Sequence, residues 1–180
     1  MLTYLNEKFQ TVYIPYVDVT IDESMVKFKG RLGFRQYMPA KPIKWSIKVW
    51  CLAESSTACM NSFQIYSGKE ADQEQGLAHR VVKDLLVPYH HTNIRVTMDN
   101  FYTSVPLLRD LPLSGICAAG TVLPKDFLPK AVRLEKHQFH VAQAVQLMTH
   151  MDTKAVCVLS NHHSPTQTCT ATSRCSCCPC

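Results

Sequence analysis

The sequence predicts an α/β fold built on one mixed sheet, with three antiparallel strands first, parallel strands after them, and helices on the faces. Three observations predict it. Polar and apolar residues alternate from Tyr16 to Asp22, the period-two signature of a half-buried strand. Two further strand-like runs, Lys44 to Ala53 and Cys59 to Tyr66, are separated only by Glu54 to Ala58, a gap of hairpin length. Beyond them, short apolar runs alternate with stretches of helical spacing, the order that requires parallel crossovers.

The elements follow in order. Leu2 to Pro15 reads as the end of a helix and a linker, beginning abruptly as though an upstream region preceded it. In the first strand Val17, Val19 and Ile21 point one way, and Tyr16, Asp18, Thr20 and Asp22 the other; Asp22 ends it. Gly30, Gly33, Pro39 and Pro42 make the next stretch a loop. Asp72 with Gln75 resembles a capping box, opening a helix whose apolar positions are Leu77, Val81, Val82, Leu85 and Leu86 and which Pro88 closes. Ile94 to Met98 is a short apolar strand ending at Asp99. Thr103 or Ser104 caps a second helix, with Pro106 tolerated in its first turn. Ser114 to Ala119 is the next strand; Phe139 to Met148 and Ala155 to Leu159 are expected as two more, joined by a turn at His150 to Lys154. After Ser160 the chain turns to Ser, Thr, Pro, His and Cys, a composition expected to be disordered. The domain reading is therefore a helix end and linker over 1–15, a core over 16–160 and a Cys-rich tail over 161–180.

With 180 residues, 46% hydrophobic and 18% charged, the chain can bury a sizeable core. It has no apolar run near the roughly 20 residues of a membrane span, and its first ten residues lack an apolar signal segment. No membrane partner is expected, and an intracellular setting makes its nine cysteines thiols or metal ligands. The net charge of +5 is unevenly placed. Between Ser24 and Ala53 stand seven basic residues and no acidic one: Lys27, Lys29, Arg31, Arg35, Lys41, Lys44 and Lys48, interleaved with Phe28, Phe34, Tyr37, Trp45 and Trp50. Such a stretch suits phosphate contacts and base stacking; a solvated charged face beside a hairpin is the other account.

Asp22 and Asp99 end strands that this order brings together. If those strands are neighbours, the two ends lie about 5 Å apart in the pairing direction. Carboxylates so close repel unless a cation lies between them, and magnesium takes hard oxygen ligands while keeping water positions open for phosphates. Two such ions about 4 Å apart clamp an in-line phosphoryl displacement. On spacing alone, two ordinary strand-end turn formers, with Asp99-Asn100 a simple turn, account for the same residues.

The segment Thr20 to Lys48 resembles the first catalytic block of piggyBac-family transposases, through Asp22-Glu23, Phe28-Lys29-Gly30-Arg31 and Tyr37-Met38-Pro39-Ala40-Lys41-Pro42. Met98 to Ser104, MDNFYTS, is similar to the second block, Gly120-Thr121-Val122 to a motif that follows it, and His150 to Asn161 to a later segment. The resemblance covers roughly Leu2 to Asn161. It implies an RNase H-like core, incomplete at its C-terminal end, with three aspartates that bind Mg2+ (or Mn2+), cut DNA at element ends and join it to TTAA targets. Carried over by motif, Asp22 and Asp99 are the first two catalytic and metal-binding aspartates. The third belongs to a Gly-Gly-Val-Asp motif that this sequence lacks; Asp152 is its last acidic residue and lies in a different segment. Family regions for upstream DNA binding and dimerisation are also absent, so a homodimer is expected only if they are supplied.

The tail carries Cys169, Cys175, Cys177, Cys178 and Cys180. Cys175/Cys178 and Cys177/Cys180 have zinc-ligand spacing, with His162 and His163 upstream. The tail is too short for the cross-brace zinc domain that ends many piggyBac-type proteins, so zinc is not expected. Cys51, Cys59, Cys117 and Cys157 are expected in core packing, and His79, His90, His91, His137 and His140 show no ligand spacing. The functional expectation is a nuclear, transposase-derived DNA-binding protein keeping two of three catalytic aspartates and inactive for cleavage and transposition. The alternatives are a non-catalytic interaction scaffold, or a metal-dependent nuclease completed by a partner's carboxylate.

Overall fold

The computed structural model describes residues 1–39, 42–68, 76–123, 139–142, 146–151 and 155–161. A helix, α1 (Leu2–Val12), leads into strands β1 (Asp18–Lys27), β2 (Gln36–Tyr37), β3 (Trp45–Glu54) and β4 (Met60–Ile65). Then come α2 (Leu77–Leu86), β5 (Arg95–Met98), α3 (Val105–Asp110) and β6 (Cys117–Val122), and finally β7 (Phe139–Ala142), β8 (Gln146–Met151) and β9 (Ala155–Ser160). The described strands form one nine-stranded sheet in the order β2-β3-β1-β5-β6-β9-β8-β7, with β4 also on β3. β1, β3 and β4 are the expected antiparallel meander, while β5 runs parallel to β1 and β6 parallel to β5.

One face of this sheet carries the core. Val19, Ile21, Trp50, Leu52, Val96 and Met98 from the strands meet Val81, Val82, Leu85 and Leu86 of α2 and Leu107 and Leu108 of α3. Burying that many aliphatic side chains is the main favourable term in the fold. Asn161 fastens the β6 side: its amide donates to the Leu108 carbonyl at 3.1 Å and accepts from the Ala118 N–H at 2.7 Å. Among the described residues no helix is long and apolar enough to cross a membrane.

Three expectations are corrected and one is extended. First, β1 does not end at Asp22 but runs on to Lys27, because β3 supplies partners from Val19↔Glu54 to Lys27↔Ser46. The side-chain alternation fades after Asp22, but backbone pairing, which the pattern does not report, sustains the strand. Second, the stretch expected as pure loop contains β2, where Tyr37 pairs Trp45 with ring centroids 4.8 Å apart. Third, residues 1–15 carry the expected helix and linker, and the helix, α1, is also docked on the sheet. α1 lies on edge strand β4, where the Asn6 side chain accepts from the Phe63 N–H at 2.9 Å and donates to its carbonyl at 2.8 Å. An exposed strand edge invites foreign pairing, and this amide occupies it. Fourth, the last segment forms three antiparallel strands rather than two, β9 pairing β6 and β8 pairing both β9 and β7. Asp72 and Gln75, Lys41, Asp152, and the tail cysteines Cys175, Cys177, Cys178 and Cys180 lie outside the described residues.

Candidate functional site

The polar face of β1 and β5 is built in rows. Asp18 pairs in register with Arg95 and takes its guanidinium at 2.7 Å; Thr20 pairs with Thr97, hydroxyl to hydroxyl at 2.8 Å. Ile21↔Met98 is the last pair of the register, and Asp22 and Asp99 are the next residue on each chain. Alternation along a strand puts them on the Thr20/Thr97 face. Both therefore stand at the carboxyl end of β5, where β1 outruns it, the kind of position where open α/β sheets bind ligands.

Local backbone donors fix both carboxylates. The Glu23 N–H donates to Asp22 Oδ1 at 2.7 Å, and the Phe101 N–H donates to Asp99 Oδ1 at 3.0 Å. The turn after Asp99 is held again from the other side: the Thr103 N–H and hydroxyl both donate to the Asp99 carbonyl, at 3.2 and 2.7 Å. Thr103 is thus spent on the turn, and Ser104 is the residue that caps α3, accepting from the Leu107 N–H. Gly120 on β6 lies beneath: a Cβ there would collide with the Thr103 hydroxyl and stand 3.1 Å from the Met98 carbonyl. The Met98–Ser104 and Gly120–Val122 motifs are one structural unit.

Two buried groups, Tyr102 and Cys51, lie close enough to feel these charges. Tyr102 is only 1% exposed, and burial, then the charges of Glu23, Asp99 and Asp22, push its phenol above the ordinary tyrosine range. Cys51, paired across from Asp22, is likewise pushed up, by burial first and the Asp22 charge second. Asp22 and Asp99 each keep one oxygen with no hydrogen bond or ion pair among the described residues. That donor set, two hard carboxylate oxygens on adjoining strands, fits a divalent cation, which Asp22 and Asp99 would hold. A bound ion would supply charge neutralisation to a phosphoryl group. Among the described residues no group of three His, Cys, Asp or Glu is arranged to hold a metal.

The basic candidates divide. Lys27, Lys29, Arg31 and Lys44 are exposed. Arg35 lies over the Trp45 ring at 4.1 Å and donates to the Gly30 carbonyl. Lys48 points inward: its ammonium is 3.6 Å from Glu23 Oε2 and 4.6 Å from the Phe101 ring centre. Sequence reasoning missed Glu23 and Phe101 as carboxylate-fixing donors, although their positions one and two residues after an aspartate are where Asx-type bonds form. Of the core cysteines, Cys51 and Cys157 are buried and Cys59 and Cys117 half-buried, and none of the four is in a disulfide among the described residues. His79 pairs with Asp110 at 3.2 Å.

A single mixed sheet with this strand order is consistent with an RNase H-like core. The chain belongs to the Transposase IS4 family, whose model matches residues 1–176, and to its piggyBac type. It is 31% identical over 131 residues, 68% of its length, to human PiggyBac transposable element-derived protein 3, and covers 21% of that protein. The same identity holds to the human chimeric ERCC6-PGBD3 protein, of which it covers 12%. Among solved structures it is similar to a piggyBac transposase in a synaptic complex with hairpin DNA, with a TM-score of 0.81 and 26% identity over 92% of this chain and 37% of that one. The chain thus spans about a fifth of the first of these relatives.

Proposed function

We propose that this protein is a piggyBac transposase-derived DNA-binding protein that holds Mg2+ or Mn2+ on Asp22 and Asp99 and does not by itself cut or join DNA. The reading rests on one arrangement: the two aspartates share a face one residue beyond Ile21↔Met98, and the exposed Lys27, Lys29, Arg31 and Lys44 follow from the same end of β1. The solved piggyBac relative is a complex with DNA, which supports DNA as the ligand here, and DNA as a ligand implies work in the nucleus. The limit on cleavage comes from the donor set. In-line displacement needs both metal ions fixed, and the site proposed here offers them two carboxylates, Asp22 and Asp99.

Two measurements test it. Affinity for duplex DNA is expected to fall with salt, and replacing Lys29, Arg31 and Lys44 by Ala together to flatten the log–log slope by about three, roughly one per lost phosphate contact; salt-independent binding would end the DNA reading. Supercoiled plasmid with Mg2+ or Mn2+ is expected to be nicked no faster than by an Asp22→Asn, Asp99→Asn control. Nicking above that control would mean a complete catalytic centre.

A further inference from the structure

We propose that Lys48 is a positioning residue that holds the two metal-facing aspartates in register, and that it is not one of the DNA-contacting cations. The inference rests on the reading of Asp22 and Asp99 as a cation site and says how the fold keeps them aligned. Lys48 stands on the core-side face of β3 with Trp50 and Leu52, opposite the face of Asp22. Its ammonium meets two groups from different parts of the chain: Glu23 Oε2 at 3.6 Å and the face of Phe101 at 4.6 Å, with the Trp50 ring at 5.8 Å.

Glu23 and Phe101 are also the residues whose backbone N–H groups fix Asp22 Oδ1 and Asp99 Oδ1. One side chain therefore grips, from beneath the sheet, both residues whose amides orient the carboxylates above it. The forces suit such a role. The Lys48 and Glu23 side chains are only 15% and 17% exposed, so their attraction is less screened than a surface pair's, and the ring face adds a cation–π attraction. A phosphate could recruit this ammonium only by displacing both partners, whereas Lys29 and Arg31 are already in solvent. Outer partners that orient metal-facing side chains commonly govern affinity as strongly as this arrangement requires.

The test uses the full chain with Lys48→Met, which keeps length and loses charge, Lys48→Arg, which keeps the cation, and Phe101→Leu, a change at a 44% exposed position. Mn2+ affinity is read by electron paramagnetic resonance and the Glu23 and Phe101 amides by NMR. Lys48→Met is expected to weaken Mn2+ roughly tenfold, shift both amide resonances and leave the DNA salt slope unchanged. Lys48→Arg is expected to recover most of the Mn2+ affinity, and Phe101→Leu to weaken Mn2+ in the same direction with less effect at Glu23. Unchanged amides in Lys48→Met, or a salt slope that falls as in a Lys29→Ala control, would overturn the proposal. If the unmodified chain binds no Mn2+, the cation reading fails instead, and the amide shifts alone decide whether Lys48 couples the two segments. Should Lys48→Met not fold, Phe101→Leu carries the same decision: unmoved Asp99-turn amides overturn it.

Discussion

Thr103 and Gly120 occupy one space: the Thr103 hydroxyl, which donates to the Asp99 carbonyl at 2.7 Å, lies where a Cβ at position 120 would fall. The glycine is there for close approach, since its backbone is in an ordinary strand pairing Met98. Gly120→Ala must move either β6 or the turn that carries Asp99. It is expected to cost about 1–3 kcal/mol, the usual range for overpacking, measured by urea unfolding. Adding Thr103→Ala should return part of that loss, and simple additivity of the two changes would refute the shared-space account.

Asn6 should matter more than a half-exposed helix residue ordinarily does. Its amide satisfies both the N–H and the C=O of Phe63 on edge strand β4. Asn6→Ala removes two bonds to backbone groups and reopens the edge, an expected loss of about 1–3 kcal/mol. The accompanying sign is faster proteolytic cleavage within α1. Cleavage at the unmodified rate would show that the ring contact of Phe9 with Phe63, centroids 6.0 Å apart, is enough to hold the helix.

Glu54 predicts the acid limb of stability. It is buried at the hairpin after β3, accepting hydrogen bonds from Ser56, Tyr13 and Thr57. The Ser56 and then the Tyr13 hydroxyl hold its carboxyl below the ordinary glutamate value. A depressed folded-state pKa gives stability that is complete above the unfolded value, about 4.3, and disappears as pH falls through the lower folded value. Tyr13 is the converse: its bond to Glu54 raises the phenol, so its contribution is present below the ordinary tyrosine value and is lost as pH rises through the raised one. Glu54→Gln is expected to be less stable at neutral pH and to lose this part of the acid limb, followed by thermal melts from about pH 2 to 7, the span that brackets the carboxylate range. An unaltered acid limb in the variant would assign acid unfolding to other carboxylates.

Tyr102 offers a counter-intuitive substitution. Its ring fills the core beside Phe101, but its buried hydroxyl has no hydrogen-bond partner among the described residues. An unpaired buried hydroxyl costs free energy that a ring of the same shape does not. Tyr102→Phe is therefore expected to be neutral or stabilising by up to about 1–2 kcal/mol. A loss above about 1 kcal/mol would reveal a partner, such as an ordered water, for that oxygen.

Much of the fold was legible. The alternation around Val19 and Ile21, the hairpin gap at Glu54 to Ala58 and the helical spacing of Val81 to Leu86 each report which side chains face a core, and each element formed. Boundaries were less legible where backbone pairing decided them: Ser24 to Lys27 stay in β1 because β3 lies alongside, and Tyr37 joins β2 because Trp45 stands opposite. Asp22 and Asp99 were visible as motif residues. The Lys48 environment was not, since a lysine in a basic stretch looks the same whether it faces solvent or Glu23.

The sequence by itself determined the class of fold, the family, and the two acids, because periodicity and motif residues are local properties carried by the chain. Only the tertiary structure decided that those acids stand one step past a shared register, that Gly120 makes room for Thr103, and that Lys48 joins Glu23 to Phe101. Those relations link residues far apart in the chain, and a side chain's partner across a sheet is set by strand order and register, which the local pattern of residues does not encode.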